Sequence, residues 1–121
     1  MNDATATSPA TAAHAEAVIL AYWKSWQTKD WDTMRGALAD ELDFGGHVMP
    51  REGFVQMCQQ GKAWDDVKLL DSIFTAEGGA LIYEGTNTAD GKRVRVAEIV
   101  RLSNGKVGGA LACFGTGTPP Q

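Results

Sequence analysis

A carboxylate interrupts an apolar row in the segment 92–103. Alternate positions of that segment carry Val94, Val96, Glu98, Val100 and Leu102. Successive side chains of a strand point to opposite faces, so this row is expected to face the core, with Glu98 as its polar member. A buried carboxylate is costly unless it has a partner, lies in a pocket or takes a raised pKa. Glu98 is therefore either a functional acid or a structural acid bonded to a tyrosine or a backbone group.

A tyrosine is expected beside Glu98. The dipeptide Asp90-Gly91 is among the strongest short signals for a β-hairpin. A two-residue turn there places Tyr83 directly opposite Glu98 on the same face of the sheet, and Leu81 opposite Val100. The neighbouring strand therefore supplies a hydrogen-bonding candidate for the buried acid.

Two further residues are candidates for chemistry. Tyr22 shares a helical face with Val18 and Trp26, so it is either a pocket residue or a core residue with its hydroxyl at the rim. His47 follows Gly45-Gly46 and is either a general acid–base group or an ordinary loop histidine.

Periodicity and caps predict three helices in the first half of the chain. Apolar residues recur at helical spacing from Ala13 to Thr28. Asp30 is typical of the N-cap of a second, shorter helix. A short strand is expected at 42–44, and Pro50 fits the first turn of a third helix that ends at Gly61. The third helix carries its larger apolar groups on one side: Phe54, Met57 and Cys58.

The second half of the chain reads as strands, because the apolar period changes to two after Trp64. In the first of these strands, one face is expected to carry Val67, Leu69, Asp71 and Ile73. Further strands are expected near 80–88, 92–103 and 106–114, with breaks at Gly78-Gly79, Asp90-Gly91 and Asn104-Gly105. Helices followed by hairpin-linked strands predict an α+β fold, with three N-terminal helices packed on a curved, mainly antiparallel sheet in a cone-shaped α+β barrel.

Composition narrows the class of protein. The 121 residues suit one domain, expected at 13–114, with disordered tails at 1–12 and 115–121. A net charge of −4 argues against a nucleic-acid partner, and no apolar run is long enough for a membrane span. Without a signal-peptide pattern, a cytoplasmic location is expected. Cys58 and Cys113 are expected to be buried free thiols, with a disulfide between them as the alternative, and the scattered Cys and His residues make no zinc signature.

Two segments carry a resemblance to a known superfamily. They are Ala21-Tyr22-Trp23 through Asp30-Trp31-Asp32 to Leu38-Ala39-Asp40, and Ala97-Glu98-Ile99-Val100-Arg101-Leu102 followed by Asn104-Gly105-Lys106-Val107. In its order of elements and turns, the chain resembles the nuclear-transport-factor-2-like superfamily, which includes SnoaL-like polyketide cyclases and ketosteroid isomerase. The pattern covers nearly everything after the N-terminal tail, and it is more specific for fold than for chemistry.

The resemblance to ketosteroid isomerase implies roles for several residues. Tyr22 falls at the position of an oxyanion-hole tyrosine, and Glu98 at that of a carboxylic acid kept neutral to donate a hydrogen bond. Phe114 falls at a pocket tryptophan. The position of the general base is Gly46 here, and the adjacent His47 is the substitute candidate.

Two functions follow as hypotheses. The first is an isomerase, cyclase or related lyase that needs no metal or organic cofactor and acts on an apolar, carbonyl-containing substrate. Tyr22 and a neutral Glu98 would stabilise the oxyanion, while His47 moves the proton. The alternative is a non-catalytic module that holds a small apolar ligand. In either case the expected pocket lining is Trp26, Phe44, Leu81, Tyr83, Val96, Ala112 and Phe114.

The outer face of the sheet predicts a partner. It carries Ile82 and Ile99 among Arg93, Arg95 and Arg101. An apolar centre with a polar surround is typical of an interface, so a homodimer through this open face is expected.

The register of the last hairpin has two solutions. A two-residue turn at Asn104-Gly105 pairs Ser103 with Lys106 and sets Glu98 opposite Leu111. A three-residue loop with a bulge pairs Ser103 with Val107 and sets Glu98 opposite Ala112. The second solution is preferred, because its inward row of small residues leaves room for a cavity: Gly108, Ala110, Ala112 and Phe114.

Overall fold

The structure, a computed structural model, describes residues 11–61 and 64–116, with side chains up to Ala112. Most of the two expected tails lies outside these residues. Within them, Thr11 and Ala12 already belong to the start of the first helix, and the last strand continues two residues past Phe114 to Thr116.

Local capping sets the limits of the three helices in the described part of the chain. Helix α1 (Ala12–Thr28) begins at Thr11, whose hydroxyl accepts from the His14 N–H at 3.0 Å, and it ends at Lys29 in the left-handed conformation. Helix α2 (Trp31–Ala37) is capped by Asp30 as predicted, since the carboxylate accepts from the Thr33 N–H at 3.2 Å. Helix α3 (Arg51–Gln60) follows Pro50 and ends at Gly61.

The strands form one sheet, which closes the core on the side opposite the helices. They are β1 (Leu38–Phe44), β2 (His47–Pro50), β3 (Trp64–Thr75), β4 (Gly78–Asn87), β5 (Arg93–Ser103) and β6 (Lys106–Thr116). Their order is β2-β1-β6-β5-β4-β3, and the pairs are antiparallel except for the parallel pair β1 and β6. The predicted α+β class, with helices on a mainly antiparallel sheet, is confirmed. The strand expected at 42–44 is longer and forms a hairpin with β2.

The first long strand does not keep the single alternation that its sequence predicts. Val67 and Leu69 are partly buried, but Ile73 is 68% exposed, and Ser72 and Phe74 point inward instead. The pairing of β3 with β4 shifts between Leu69 and Asp71, and such an irregularity exchanges the two faces.

The turn between β3 and β4 is also displaced from its predicted place. Thr75 pairs with Gly78, so the connection is at 76–77 and Gly78-Gly79 belongs to β4. A Cβ at Gly79 would lie 2.6 Å from a ring carbon of Phe74. These glycines therefore permit a close approach of neighbouring groups rather than forming the turn.

The register of β4 against β5 differs from the prediction by two residues. Leu81 pairs with Glu98, and Tyr83 pairs with Val96. The cause is a four-residue connection, 88–91, in which the Gly91 N–H donates to the Asn87 carbonyl at 2.7 Å. Because the displacement is even, Tyr83 still lies on the same face as Glu98.

The last hairpin combines features of both predicted solutions. The turn has two residues, since Ser103 pairs with Lys106, so the predicted three-residue loop is wrong. Asn104 and Gly105 both have positive φ, at 51° and 79°, as a type I′ turn requires. The extra residue comes later, between Val107 and Gly109, and this bulge sets Glu98 opposite Ala112 as predicted.

The core lies between the helices and the inner face of the sheet. Its fully buried members come from every layer and include Ile19, Met34, Leu42, Val55, Leu81 and Val100. Among the helices that the structure describes, none is long and apolar enough to cross a membrane.

Candidate functional site

Three polar side chains meet on the inner face of the sheet, and they are called the trio below: Tyr22 from α1, Tyr83 from β4 and Glu98 from β5. The Tyr22 hydroxyl donates to Glu98 Oε2 at 3.0 Å, and the Tyr83 hydroxyl donates to Oε1 at 2.8 Å. Tyr22 is 5% exposed, Tyr83 7% and Glu98 5%. Each carboxylate oxygen thus has its own phenol donor, which satisfies the acid that the sequence places in an apolar row.

Aromatic packing fixes the two tyrosines. The Tyr83 ring lies with its centroid 5.5 Å from Trp23 and 5.9 Å from Trp26, and the Tyr22 ring lies 6.2 Å from Phe54. These contacts leave the rings little freedom to turn away from Glu98. Both hydroxyls are therefore held in place by groups that do not ionise.

Burial shifts the titration of the whole cluster. Desolvation raises the pKa of Glu98, although the hydrogen bonds from Tyr83 and Tyr22 oppose this by favouring the carboxylate. Desolvation, with the Glu98 charge adding to it, raises the pKa of both tyrosines well above the ordinary value. The same two causes raise the pKa of the Cys58 thiol to about 11. The phenols and the thiol therefore keep their protons, and Glu98 is the group that titrates.

The trio lies in the wall of a cavity of about 520 Å³, a volume within the usual range for small-molecule sites. The cavity is lined by Tyr22, Trp26, Phe44, Phe54, Met57, Cys58, Gly61, Trp64, Tyr83, Glu98, Ala110, Leu111 and Ala112. Met57 is about half exposed, at 51%, so it lies at the solvent side of the cavity. Apart from the trio and Cys58, the described side chains of this wall are apolar.

The structure brings together most of the residues that the sequence nominates. Tyr22, Trp26, Phe44, Tyr83, Glu98 and Ala112 line the cavity. Leu81 and Val96 do not line it, because they are packed into the core at 0% and 1% exposure. Phe114 pairs with Val96 in β6, but its side chain lies outside the described residues.

His47 lies apart from the trio. It stands on β2, pairs with Phe44 across the β1–β2 hairpin, and is exposed. It is not among the residues that line the cavity. Within the described wall, no histidine or second carboxylate accompanies Glu98.

One wall of the cavity was not assigned from the sequence. It comes from α3 and the start of β3: Phe54, Met57, Cys58, Gly61 and Trp64. The sequence signal was present, since the apolar groups of α3 share one side of that helix. Their approach to Glu98 depends on how α3 packs over the sheet, which is a tertiary property. No group of three or more His, Cys, Asp or Glu in the described chain is arranged to hold a metal ion.

Comparisons with known proteins support the fold. No protein-family model and no curated protein matches the sequence. The structure is similar to that of a proposed ketosteroid isomerase of Kribbella flavida, with a TM-score of 0.77, 12% identity, and coverage of 91% of this chain and 84% of that one.

Two NTF2-like proteins of unknown function are also similar. The protein from Mesorhizobium loti has a TM-score of 0.70, 16% identity, and coverage of 86% of this chain and 93% of its own. The protein from Burkholderia xenovorans has a TM-score of 0.66, 17% identity, and coverage of 89% and 88%. At these identities the likeness establishes the NTF2-like α+β fold, and the chemistry of the site has to be argued from its own residues.

Proposed function

We propose that this chain binds a small, mostly apolar molecule through a carbonyl oxygen, which the trio holds and polarises at the wall of the cavity. The observation that carries the proposal is the placement of two phenol hydroxyls and one carboxyl group in an otherwise apolar lining. Pockets of this composition bind ligands by apolar contact and orient them with a few convergent polar groups.

A neutral Glu98 would act as a donor. Its carboxyl proton and a tyrosine hydroxyl can both be directed at one ligand oxygen, which is how an oxyanion hole is built. Burial favours this neutral form, because it raises the pKa of Glu98. Desolvation also makes each hydrogen bond to the ligand stronger than it would be in water.

A ketone and its parent hydrocarbon test the proposal. Binding of 2-tetralone and tetralin can be followed by tryptophan fluorescence, since Trp26 and Trp64 line the cavity. The ketone should bind at least about tenfold more tightly, which corresponds to about 1.4 kcal/mol, or one net hydrogen bond. Glu98→Leu should remove this preference, whereas Glu16→Gln, an exposed change on α1, should keep it. Equal affinity for both probes in the wild-type protein would refute the proposal.

A second candidate function is catalysis by an isomerase, a cyclase or a related lyase. The raised pKa of Glu98 favours it, because the ionised form is then a stronger base than an ordinary carboxylate. In this scheme Glu98 takes a proton from the carbon beside the carbonyl, the C–H electron pair forms the C=C bond of an enolate, and the π pair of the C=O bond moves onto the oxygen. Protonated Glu98 no longer requires both phenol donors, so one tyrosine hydroxyl can donate to the enolate oxygen. The proton then returns to carbon.

Deuterium exchange separates the two functions. Catalysis predicts that the protein accelerates exchange of the α-hydrogens of 2-tetralone in D₂O, and that Glu98→Gln abolishes the acceleration while His47→Ala leaves it intact. Binding of the ketone without any acceleration of exchange would assign the cavity to the non-catalytic module. His47 is exposed and outside the cavity, so exchange would depend on Glu98 alone.

We also propose that two copies associate through the outer face of the sheet. Ile82, Ile99 and Leu111 are 39%, 48% and 57% exposed there. Arg95 at the edge of this group is paired with Glu84. Exposed apolar residues bordered by charged pairs are typical of an interface between subunits.

A further inference from the structure

The hydrogen bonds of the trio use both of its phenol hydrogens when Glu98 is ionised. Both carboxylate oxygens of Glu98 accept from a phenol, Oε2 from Tyr22 at 3.0 Å and Oε1 from Tyr83 at 2.8 Å. In this arrangement Glu98 needs no proton, and both hydroxyl hydrogens are used inside the trio. The ionised trio therefore offers a ligand acceptor lone pairs but no donor.

One added proton changes what the trio can offer. With Glu98 protonated, three hydrogens are shared by three groups, whereas two are enough to hold the trio together. The remaining hydrogen, on the carboxyl group or on a tyrosine, can point into the cavity. A carbonyl oxygen carries no hydrogen of its own, so it finds a donor only in this state.

We propose that the trio takes up a carbonyl-bearing ligand together with one proton, so that occupancy of the cavity falls as the pH rises. The inference rests on the proposed binding function, not on the catalytic alternative, and adds to it a proton as an obligatory co-ligand. A carbonyl ligand that entered the ionised trio would place its oxygen beside a carboxylate with no donor between them, which is repulsive.

No other described group facing the trio can replace this proton. The titratable groups around Glu98 are Tyr22 from α1, Cys58 from α3 and Tyr83 from β4. All three are neutral until well above neutral pH, because burial and the Glu98 charge raise each pKa. The described side chains that β1, β3 and β6 contribute to the lining do not ionise: Phe44, Trp64, Ala110, Leu111 and Ala112. The proton count of the site is thus set by Glu98.

Calorimetric titration over a pH series tests the coupling. At each pH, 2-tetralone is titrated into the protein in two buffers of different ionisation enthalpy, which gives both Kd and the number of protons taken up. Above the pKa of Glu98 in the free protein, uptake should approach one proton and Kd should rise about tenfold per pH unit. The matched alcohol 2-tetralol can donate to the ionised trio or accept from the neutral one, so its Kd should stay level.

The variant Glu98→Gln should uncouple binding from pH. An amide always offers two N–H donors and one acceptor oxygen, so 2-tetralone should bind with a level Kd and no proton uptake. Glu16→Gln should keep the wild-type slope. If wild-type protein binds 2-tetralone with a level Kd, the coupling is refuted while the proposed binding function stands. If neither probe binds at any pH, both are refuted.

Discussion

Removing one phenol hydroxyl should destabilise the protein by an amount that depends on pH. Tyr83→Phe deletes the donor to Glu98 Oε1 and keeps the ring that packs on Trp23 and Trp26. Both partners are more than nine-tenths buried, at 7% and 5% exposure, so water cannot readily replace the lost donor.

The magnitude follows from the charge on Glu98. A buried hydrogen bond to a charged group contributes about 1.5–3 kcal/mol, and one between neutral groups about 0.5–1.5 kcal/mol. Tyr83→Phe should therefore cost about 1.5–3 kcal/mol above the pKa of Glu98 and roughly 1 kcal/mol less below it. The cost is larger at high pH because the Tyr83 hydroxyl donates to Glu98, and a donor stabilises the carboxylate more than the neutral acid.

Urea unfolding at a series of pH values measures this difference. Tryptophan fluorescence reports unfolding, and the titration of the Glu98 carboxyl carbon by NMR locates its pKa. Ser25→Ala is the matched control, because it removes a buried hydroxyl whose hydrogen bond, at 2.6 Å, goes to the backbone carbonyl of Tyr22 and not to Glu98. The cost of Ser25→Ala should not vary with pH. An equal cost of Tyr83→Phe at every pH would mean that Glu98 does not ionise against this hydroxyl, and the reasoning would fail.

Three further outcomes are expected. Because the pKa of Glu98 is raised on folding, the free energy of unfolding should fall by about 1.4 kcal/mol per pH unit as the pH rises from the unfolded pKa of about 4.3 to the folded pKa. Urea titrations of Glu98→Gln should lack this fall, and a fall that persists would mean that another group causes it. The Cys58 thiol, with a pKa of about 11, should react with a thiol reagent at pH 8 roughly a hundredfold more slowly than a free thiol when it is measured in the variant Cys113→Ser. Bound 2-tetralone should slow the reaction further. A rate like that of a free thiol would contradict the buried placement of Cys58. Light scattering should find a dimer at micromolar concentration and a monomer for Ile99→Asp, whereas a wild-type monomer would count against the outer-face interface.

Much of the fold could be predicted from local signals. The caps at Asp30 and Gly61 depend on neighbours within a few residues, so they are legible in the sequence. The inward position of Glu98 depends on strand parity. Parity also explains why Tyr83 was correctly placed on the Glu98 face although its predicted partner was wrong, since a displacement of two residues preserves the face.

Features that depend on contacts between distant segments were not predicted. The shift in β3 that turns Ile73 outward, and the bulge near Gly108 that sets Ala112 opposite Glu98, are settled by pairing with neighbouring strands. The sequence alone determined that a carboxylate would be buried in an apolar row and need a partner, because the cost of burying a charge is local to the residue. Only the tertiary structure decided that the carboxylate receives two phenols and lies in a cavity covered by α3, because those groups come from elements up to 76 residues apart in the chain, and packing brings them together.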